Sequence, residues 1–356
     1  MQEKSTLTPL IALGLSAALM SALAQQKPDL TGNIGFDIHS TSGRVETLAV
    51  TIGDGGTGPY KAILSGDPSL PTHAIYRPRD LGPFGESNLL PIVAFANGGC
   101  RNGSGEFRNF LSDIASHGYI VVAIGPAGDA LVAGSEGRVG QTQPSQLLDG
   151  VEWAIQRNSI PGGEFYHKID TSKVAVMGQS CGGSQARSVS GDPRVTTTVM
   201  LNSGGAPGTA RPATATNRPA TNISAALNRA GKRYAPHAPE APDPIAAMAA
   251  SAGPPAVAFH APVAFVNGGP RDAAYQGALT AFDGIENVPA LFAFQDVGHY
   301  PATYREPNGG AFAVLVNAWL SWQLKGDQSA AKMFVGASCG FCSDSKWNIR
   351  MKNVSR

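Results

Sequence analysis

The chain has 356 residues, of which 27 are Lys or Arg and 26 are Asp or Glu, so its formal net charge is +1. Only 15% of the residues are charged, against about 25% in typical soluble proteins, and this excludes nucleic acid and anionic membrane surfaces as electrostatic partners. The hydrophobic fraction of 42% is ample for a buried core, while 43 Gly and 26 Pro indicate many turns between short elements.

The first 24 residues are typical of a secretory signal peptide. An apolar run over residues 7–24 ends in Ala22-Leu23-Ala24, the small-x-small pattern that signal peptidases recognise. A membrane anchor is the alternative, but the borderline length of the run and its cleavage pattern disfavour it. We expect residues 1–24 to be a signal peptide and residues 25–356 to form one domain. The protein would then be secreted, extracellular or periplasmic if bacterial, without stable membrane association.

Short apolar segments alternate with turns and with stretches of helical periodicity. This alternation predicts the α/β class, with a mostly parallel central sheet and helices on both faces. The predicted strands cover residues 45–52, 73–76, 91–96, 119–124, 173–177, 195–201, 262–266 and 290–294. The predicted helices cover residues 107–116, 147–156, 184–190 and 311–324.

An insertion interrupts this pattern at residues 205–256, which are dominated by Ala and Pro. The segment is too long, and its composition too strongly biased toward Ala and Pro, for an ordinary connection between two elements. It could be a lid over a site or a solvated surface excursion, and composition alone does not distinguish these two possibilities.

Ser180 lies in the sequence Gly-Gln-Ser-Cys-Gly at 178–182, between a predicted strand and a predicted helix. A serine hydroxyl is a poor nucleophile unless a sharp turn holds it exposed beside a base, and flanking glycines permit such a turn. The same five-residue pattern recurs around Ser338, but no buried strand precedes it and no histidine follows it. We therefore predict that Ser180 is a nucleophile and that Ser338 is structural.

Three histidines follow Ser180, and hydrolases of this kind order their triad as serine, acid, histidine. His237 lies in the Pro-rich insertion, and His260 lies at the entry of a strand, which is the wrong end. His299 follows the strand at 290–294, at the carboxyl end where ligands bind in open α/β sheets. The sequence therefore predicts His299 as the general base.

Asp272 follows another predicted strand at its carboxyl end and is the predicted acid of the triad. A carboxylate there can accept a hydrogen bond from the imidazole and stabilise its cation. A turn-capping aspartate is the structural alternative. Asp296 is the second candidate, but it is only three residues from His299 and we expect it to point elsewhere. Asp192 and Asp283 fall in a turn and a helix.

Two backbone N–H groups should form an oxyanion hole for the reaction. One belongs to Cys181, the residue after the nucleophile, and the other to the loop Asn-Gly-Gly-Cys at 97–100. Glycines allow that backbone to approach a ligand closely, although a plain tight turn is the alternative. Gly99 and Cys100 both remain candidates for the second donor.

These motifs together resemble the α/β-hydrolase superfamily, on the branch of dienelactone-hydrolase-like, platelet-activating-factor-acetylhydrolase-like and cutinase-like polyester hydrolases. The chain is especially similar to a group of secreted, mostly fungal hydrolases through residues 97–100, 114–118, 178–183 and 298–299. The resemblance spans about residues 45–325 and implies serine esterase chemistry by Ser180, Asp272 and His299. The chain departs from its relatives in the insertion and in Cys181.

The number of cysteines is even, and an oxidising compartment would allow two disulfides. In the fold that the resemblance implies, the strands before Cys100 and Cys181 are neighbours about 5 Å apart, and a disulfide needs a Cα separation of about 4.4–6.8 Å. We hypothesise a Cys100–Cys181 bridge, with Cys339–Cys342 as a second structural disulfide. Two buried free thiols at 100 and 181 are the alternative.

The expected function is that of a secreted serine hydrolase that cleaves small-molecule or polymeric carboxylic esters through an acyl-enzyme. We expect no metal and no organic cofactor. A peptidase or another acyl-transfer enzyme could use the same triad, and a binding protein could keep the fold without the chemistry.

Overall fold

The computed structural model of the chain describes residues 35–36, 49–132, 137–204 and 259–354. The predicted signal peptide, the first half of the first predicted strand (45–48) and the insertion at 205–256 lie outside these residues. The predictions made for those segments therefore stay predictions.

In the described ranges, eleven strands form one mixed sheet. The strands are β1 (Gly35–Phe36), β2 (Ala49–Thr51), β3 (Ala62–Ser65), β4 (His73–Pro78), β5 (Leu90–Ala96), β6 (Ile120–Ile124), β7 (Ile169–Gln179), β8 (Val195–Leu201), β9 (Val263–Asn267), β10 (Ala290–Phe294) and β11 (Asn348–Lys352). Their order across the sheet is β1-β2-β3-β4-β6-β5-β7-β8-β9-β10-β11. The six central strands, from β6 to β10 in that order, run parallel to one another, and the strands on both sides are antiparallel.

Helices cover both faces of the sheet, as predicted. The described helices are α1 (Arg108–Ser116), α2 (Ala127–Leu131), α3 (Ser145–Asn158), α4 (Cys181–Val189), α5 (Tyr275–Asp283), α6 (Gly310–Lys325), α7 (Gln328–Ala331) and α8 (Gly340–Ser343). α1 and α6 pack with one set of strand side chains, whereas α3, α4 and α5 pack with the alternate set. No helix in the described ranges is long and apolar enough to cross a membrane.

Burial on both faces explains why the central strands are continuous apolar runs. Every residue of β5 and β6 is buried. In β5, Val93 and Phe95 face the layer of α1, while Ile92 and Ala94 face the layer of α3. Parallel strands with helices on both sides need this composition, since neither face meets solvent. The predicted α/β class with a parallel centre is confirmed.

The structure adds elements at the edges that the sequence pattern did not predict. β3 is a short strand between β2 and β4, and β11 is the edge strand beside β10. β11 (sequence NIRMK) is largely polar because an antiparallel edge strand can leave one face in water. β7 begins at Ile169, four residues before its predicted start, because Leu90 of β5 pairs with Ile169 across a register shift. β4 likewise continues to Pro78.

Candidate active site

Three loops that follow parallel strands meet at the carboxyl edge of the sheet. Ser180 follows β7, Asp272 follows β9 and His299 follows β10. Ser180 Oγ lies 2.9 Å from His299 Nε2, and His299 Nδ1 lies 2.6 Å from Asp272 Oδ1. Carboxyl ends of parallel strands share one edge, which is why residues so distant in sequence come together here.

Ser180 sits on a strained turn between β7 and α4. Its backbone has φ 54° and ψ −118°, a region that non-glycine residues rarely adopt. The flanking glycines make the turn possible, since a Cβ at Gly178 would lie 2.6 Å from the carbonyl oxygen of Ala96, and one at Gly182 would overlap that carbonyl. The Gly-x-Ser-x-Gly pattern is therefore a packing requirement of the turn against the end of β5.

Asp272 is buried and all its hydrogen bonds favour the carboxylate. Oδ1 accepts from His299 Nδ1 and from the N–H of Ala274 at 2.8 Å. Oδ2 accepts from the N–H of Gly268 at 3.0 Å and from Asn202 Nδ2 at 2.8 Å. Burial opposes ionisation, but the hydrogen bonds, led by that of His299, outweigh it and hold the pKa of Asp272 below its ordinary value. Asp272 therefore faces His299 as an anion.

The alternative acid and base candidates lie elsewhere. Asp296 Oδ1 accepts a hydrogen bond from Arg271 Nε at 3.1 Å on the exposed side of the loop. His260 is exposed at the amino end of β9, the opposite edge from Ser180. Asp192 forms an ion pair with Arg194, and Asp283 forms one with Arg350. Ser338 is exposed in a turn, and His237 lies outside the described residues.

The loop after β5 forms a single 3-10 turn, Gly98–Cys100, with Gly99 at φ 64° and Cys100 at φ 48°. The carbonyl oxygens of Gly99 and Cys100 accept hydrogen bonds from the backbone of residues 140–142. The N–H of Gly140 donates to Gly99 O at 2.9 Å, and the N–H groups of Gln141 and Thr142 donate to Cys100 O at 3.0 and 3.1 Å. Since a peptide unit is planar, these bonds fix the direction of the N–H groups on the other side of each unit.

A disulfide joins this turn to the turn that holds Ser180. Cys100 and Cys181 are bonded with a Cα separation of 5.2 Å, and Cys181 is the first residue of α4. Cys339 and Cys342 form the second bridge, also with 5.2 Å between the Cα atoms. Both hypothesised pairings are confirmed, and the alternative of free thiols at 100 and 181 is wrong. The two segments predicted to carry the oxyanion donors are thus neighbours.

The structure adds polar residues that the sequence analysis did not select. Asn202, the first residue after β8, donates to Asp272 and to Gly298 O at 3.2 Å, and it accepts from the Tyr304 hydroxyl at 2.7 Å. Gln179 Nε2 donates to His299 O at 3.1 Å. A usable signal existed for Asn202: it is a polar residue at the carboxyl end of a predicted buried strand.

The fold is thus of the α/β class, with a largely parallel sheet and a Ser-His-Asp arrangement at its carboxyl edge. No protein-family model matches the chain, and no curated protein matches it. Any proposal about function therefore rests on the geometry of Ser180, His299 and Asp272.

Proposed function

We propose that this protein is a serine hydrolase of the α/β-hydrolase type that cleaves carboxylic esters through an acyl-enzyme intermediate. The observation that carries the proposal is the continuous chain of hydrogen bonds from Ser180 Oγ through His299 to Asp272, with distances of 2.9 and 2.6 Å. Hydrogen-bonded nucleophile, base and orienting acid are the defining geometry of this chemistry.

In the proposed reaction, Ser180 Oγ attacks the ester carbonyl while its proton passes to His299 Nε2. Asp272 accepts the Nδ1–H bond and stabilises the imidazolium that forms. His299 then returns the proton to the departing alcohol, leaving the acyl group on Ser180. A water molecule, activated by His299 in the same way, releases the acid and restores the serine.

The negative oxygen formed on attack needs donors that are already in place. We assign the backbone N–H of Cys181 to this task, together with an N–H from Gly99 or Cys100. The disulfide holds these two segments together, and the hydrogen bonds donated by the backbone of residues 140–142 fix the position of the Gly98–Cys100 turn. Donors fixed before the reaction lower the barrier because nothing has to reorganise as the charge develops.

Apolar side chains in the loops around the triad support an ester with an apolar acyl or alcohol part. Val297 and Tyr300 lie on either side of His299 in the chain and are 46% and 62% exposed. Val139 precedes Gly140, whose N–H bonds to the loop after β5, and is 40% exposed. Small molecules and polymers both remain within this class. Two disulfides are typical of oxidising compartments and support the proposed secretion.

A fluorophosphonate probe tests the proposal directly, because it reacts only with an activated serine. We expect the wild type and Ser338→Ala to be labelled equally and Ser180→Ala to remain unlabelled. Unlabelled wild-type protein would overturn the proposal in favour of a non-catalytic binding protein. A panel of ester and amide substrates then decides the reaction class, and faster hydrolysis of amides than of matched esters would make the protein a peptidase.

A further inference from the structure

We propose that Asn202 and Tyr304 are positioning residues that orient the Asp272 carboxylate toward His299 without touching the substrate. This inference rests on the proposed function, since it concerns the acid of the same triad. Both residues are buried, Asn202 completely and Tyr304 with 2% of its surface exposed. Neither belongs to the motif around Ser180.

The chemistry of the partners determines which way the Asn202 amide faces. An ionised carboxylate can only accept hydrogen bonds, so the amide nitrogen must face Asp272 Oδ2, at 2.8 Å. The amide oxygen then faces Tyr304, whose hydroxyl donates to it at 2.7 Å. Turned by 180°, the amide would place an oxygen against the carboxylate, which is repulsive.

Tyr304 is suited to a donor that never changes its protonation state. Burial, together with the negative charges of Asp272 and Glu106, raises the pKa of its phenol well above the ordinary value. Its ring is held by Phe107, Phe110 and Phe312, with centroid distances of 5.0, 5.4 and 5.7 Å. The hydroxyl thus remains protonated and fixed in place.

The pair also links the loops that carry the acid and the base. Asn202 Nδ2 donates to the carbonyl of Gly298, the residue before His299, and Tyr304 lies five residues after His299 on the same loop. Asn202 itself follows β8, whose neighbour β9 precedes Asp272. One amide group therefore connects the ends of three adjacent strands at the point where the triad must keep its spacing.

Removing the Tyr304 hydroxyl should change how readily Asp272 binds a proton. The Asn202 amide would lose the hydrogen bond from Tyr304 that favours its present orientation. If the amide then turned, Asp272 would lose the Nδ2 donor and face the amide oxygen instead. The other charged groups around the carboxylate stay in place: His299 on Oδ1, Glu106 beyond Tyr304, and the exposed pair of Arg271 and Asp296. A carboxylate with fewer donors is more basic and stabilises the imidazolium of His299 more strongly, so the base should keep its proton to a higher pH and the acid limb of activity should move up.

The test is the pH profile of kcat/KM for Tyr304→Phe, which keeps the aromatic packing. We expect the acid limb to move up by about 0.5 to 1 pH unit and kcat to fall about 10-fold, the size of one lost hydrogen bond, with KM unchanged. Tyr119→Phe is the matched control, because Tyr119 is a buried tyrosine of the same core whose hydroxyl bonds to Ser321. The control should keep the wild-type profile.

Asn202→Asp is the second variant and decides the matter if Tyr304→Phe does not fold. Aspartate tolerates the positive φ of 44° at this position, but it replaces the donor with a second carboxylate. We expect kcat to fall more than in Tyr304→Phe, with the acid limb again at higher pH. A wild-type profile in the folded variants of an active enzyme would overturn the inference alone. A wild type that neither labels nor hydrolyses esters would remove the proposed function and the inference with it.

Discussion

At the level of single residues, the site depends on where each proton can go. Within the part of the chain that the structure describes, the basic nitrogen that Ser180 Oγ contacts is His299 Nε2, and the other nitrogen of that ring bonds to Asp272. This arrangement leaves one route for the serine proton. Each of the three side chains therefore has a measurable and different effect when it is changed.

Ser180→Ala should lower kcat by about 10⁶-fold, because it removes the hydroxyl oxygen that we propose forms the acyl-enzyme. The substitution deletes one hydroxyl and keeps the backbone turn, so the melting temperature should stay within a few degrees of the wild type. Steady-state ester hydrolysis and thermal denaturation check both statements. Comparable turnover by the folded variant would show that another group is the nucleophile.

Asp272→Asn should lower kcat by about 10⁴-fold, less than the serine change, since members of a triad are not additive. Asp296→Asn is the matched control because its carboxylate lies in the same loop as His299 but bonds to Arg271. We expect the control to retain most of the activity in the same assay. If Asp296→Asn were the more damaging substitution, Asp272 would not be the acid.

At the level of elements, the position of the nucleophile depends on how closely α4 and β7 approach the end of β5. A methyl group on Gly182 would overlap the backbone of Ala96, and backbone cannot move aside as a flexible side chain can. The turn between β7 and α4 is therefore specified by packing as much as by chemistry. This requirement can be tested on stability alone.

Gly182→Ala should destabilise the protein by more than about 3 kcal/mol, because it forces the nucleophile turn away from β5. Gly128→Ala is the control, since Gly128 lies in α2 with no atom near an added Cβ. That change should be neutral or stabilising by up to about 1 kcal/mol. Urea denaturation measures both values, and equal effects would contradict the packing argument.

The Cys100–Cys181 bridge connects the turn after β5 to the start of α4 over a sequence separation of 81 residues. Closing a loop of that length stabilises the folded state by about 4.5 kcal/mol in the chain-entropy view. We expect Cys100→Ser with Cys181→Ser to lower both stability and kcat, because the oxyanion donors lose their fixed separation.

The second disulfide provides the control, since Cys339 and Cys342 are only three residues apart and lie outside the triad loops. Cys339→Ser with Cys342→Ser should leave kcat unchanged. In the wild type, mild reduction should slow turnover before the fold is lost. Full activity in the reduced, folded protein would show that the Cys100–Cys181 bridge does not position the donors.

At the level of the whole molecule, several carboxylates couple stability to pH. For Asp67, burial opposes the charge, but hydrogen bonds from Ser69 and Arg157 outweigh it and lower its pKa. The pKa values of Asp272 and Asp327 are lowered in the same balance of burial against hydrogen bonds. A carboxyl whose pKa is lower in the folded state stabilises above its unfolded pKa of about 3.9, and this stabilisation is lost as the pH falls through the folded value.

The free energy of unfolding should therefore decrease as the pH falls below about 4. Asp67→Asn removes one contributor far from the triad, so it should be less stable than the wild type at pH 7, with the difference shrinking toward pH 2. Urea denaturation across this range measures the difference. A difference that stays constant with pH would mean that ionised Asp67 adds no stability.

The central strands could be predicted because burial on both faces makes them apolar throughout, as in β5 and β6. The short strand β3 and the start of β7 could not be predicted. β3 has only four residues, and the polar start of β7 pairs only because β5 lies beside it. Strand pairing of this kind depends on a neighbour that is distant in sequence, and no local pattern records it.

The sequence by itself determined the order of the candidate residues along the chain: a serine, an aspartate and a histidine, each within five residues of the end of an apolar strand. It did so because a parallel sheet must place such positions at one edge. The sequence also favoured Asp272 over Asp296 as the partner of His299. Only the tertiary structure brought Asn202 and Tyr304 into the hydrogen-bond network of Asp272. Those contacts depend on side-chain direction and on strand neighbours, which are settled only when the sheet packs.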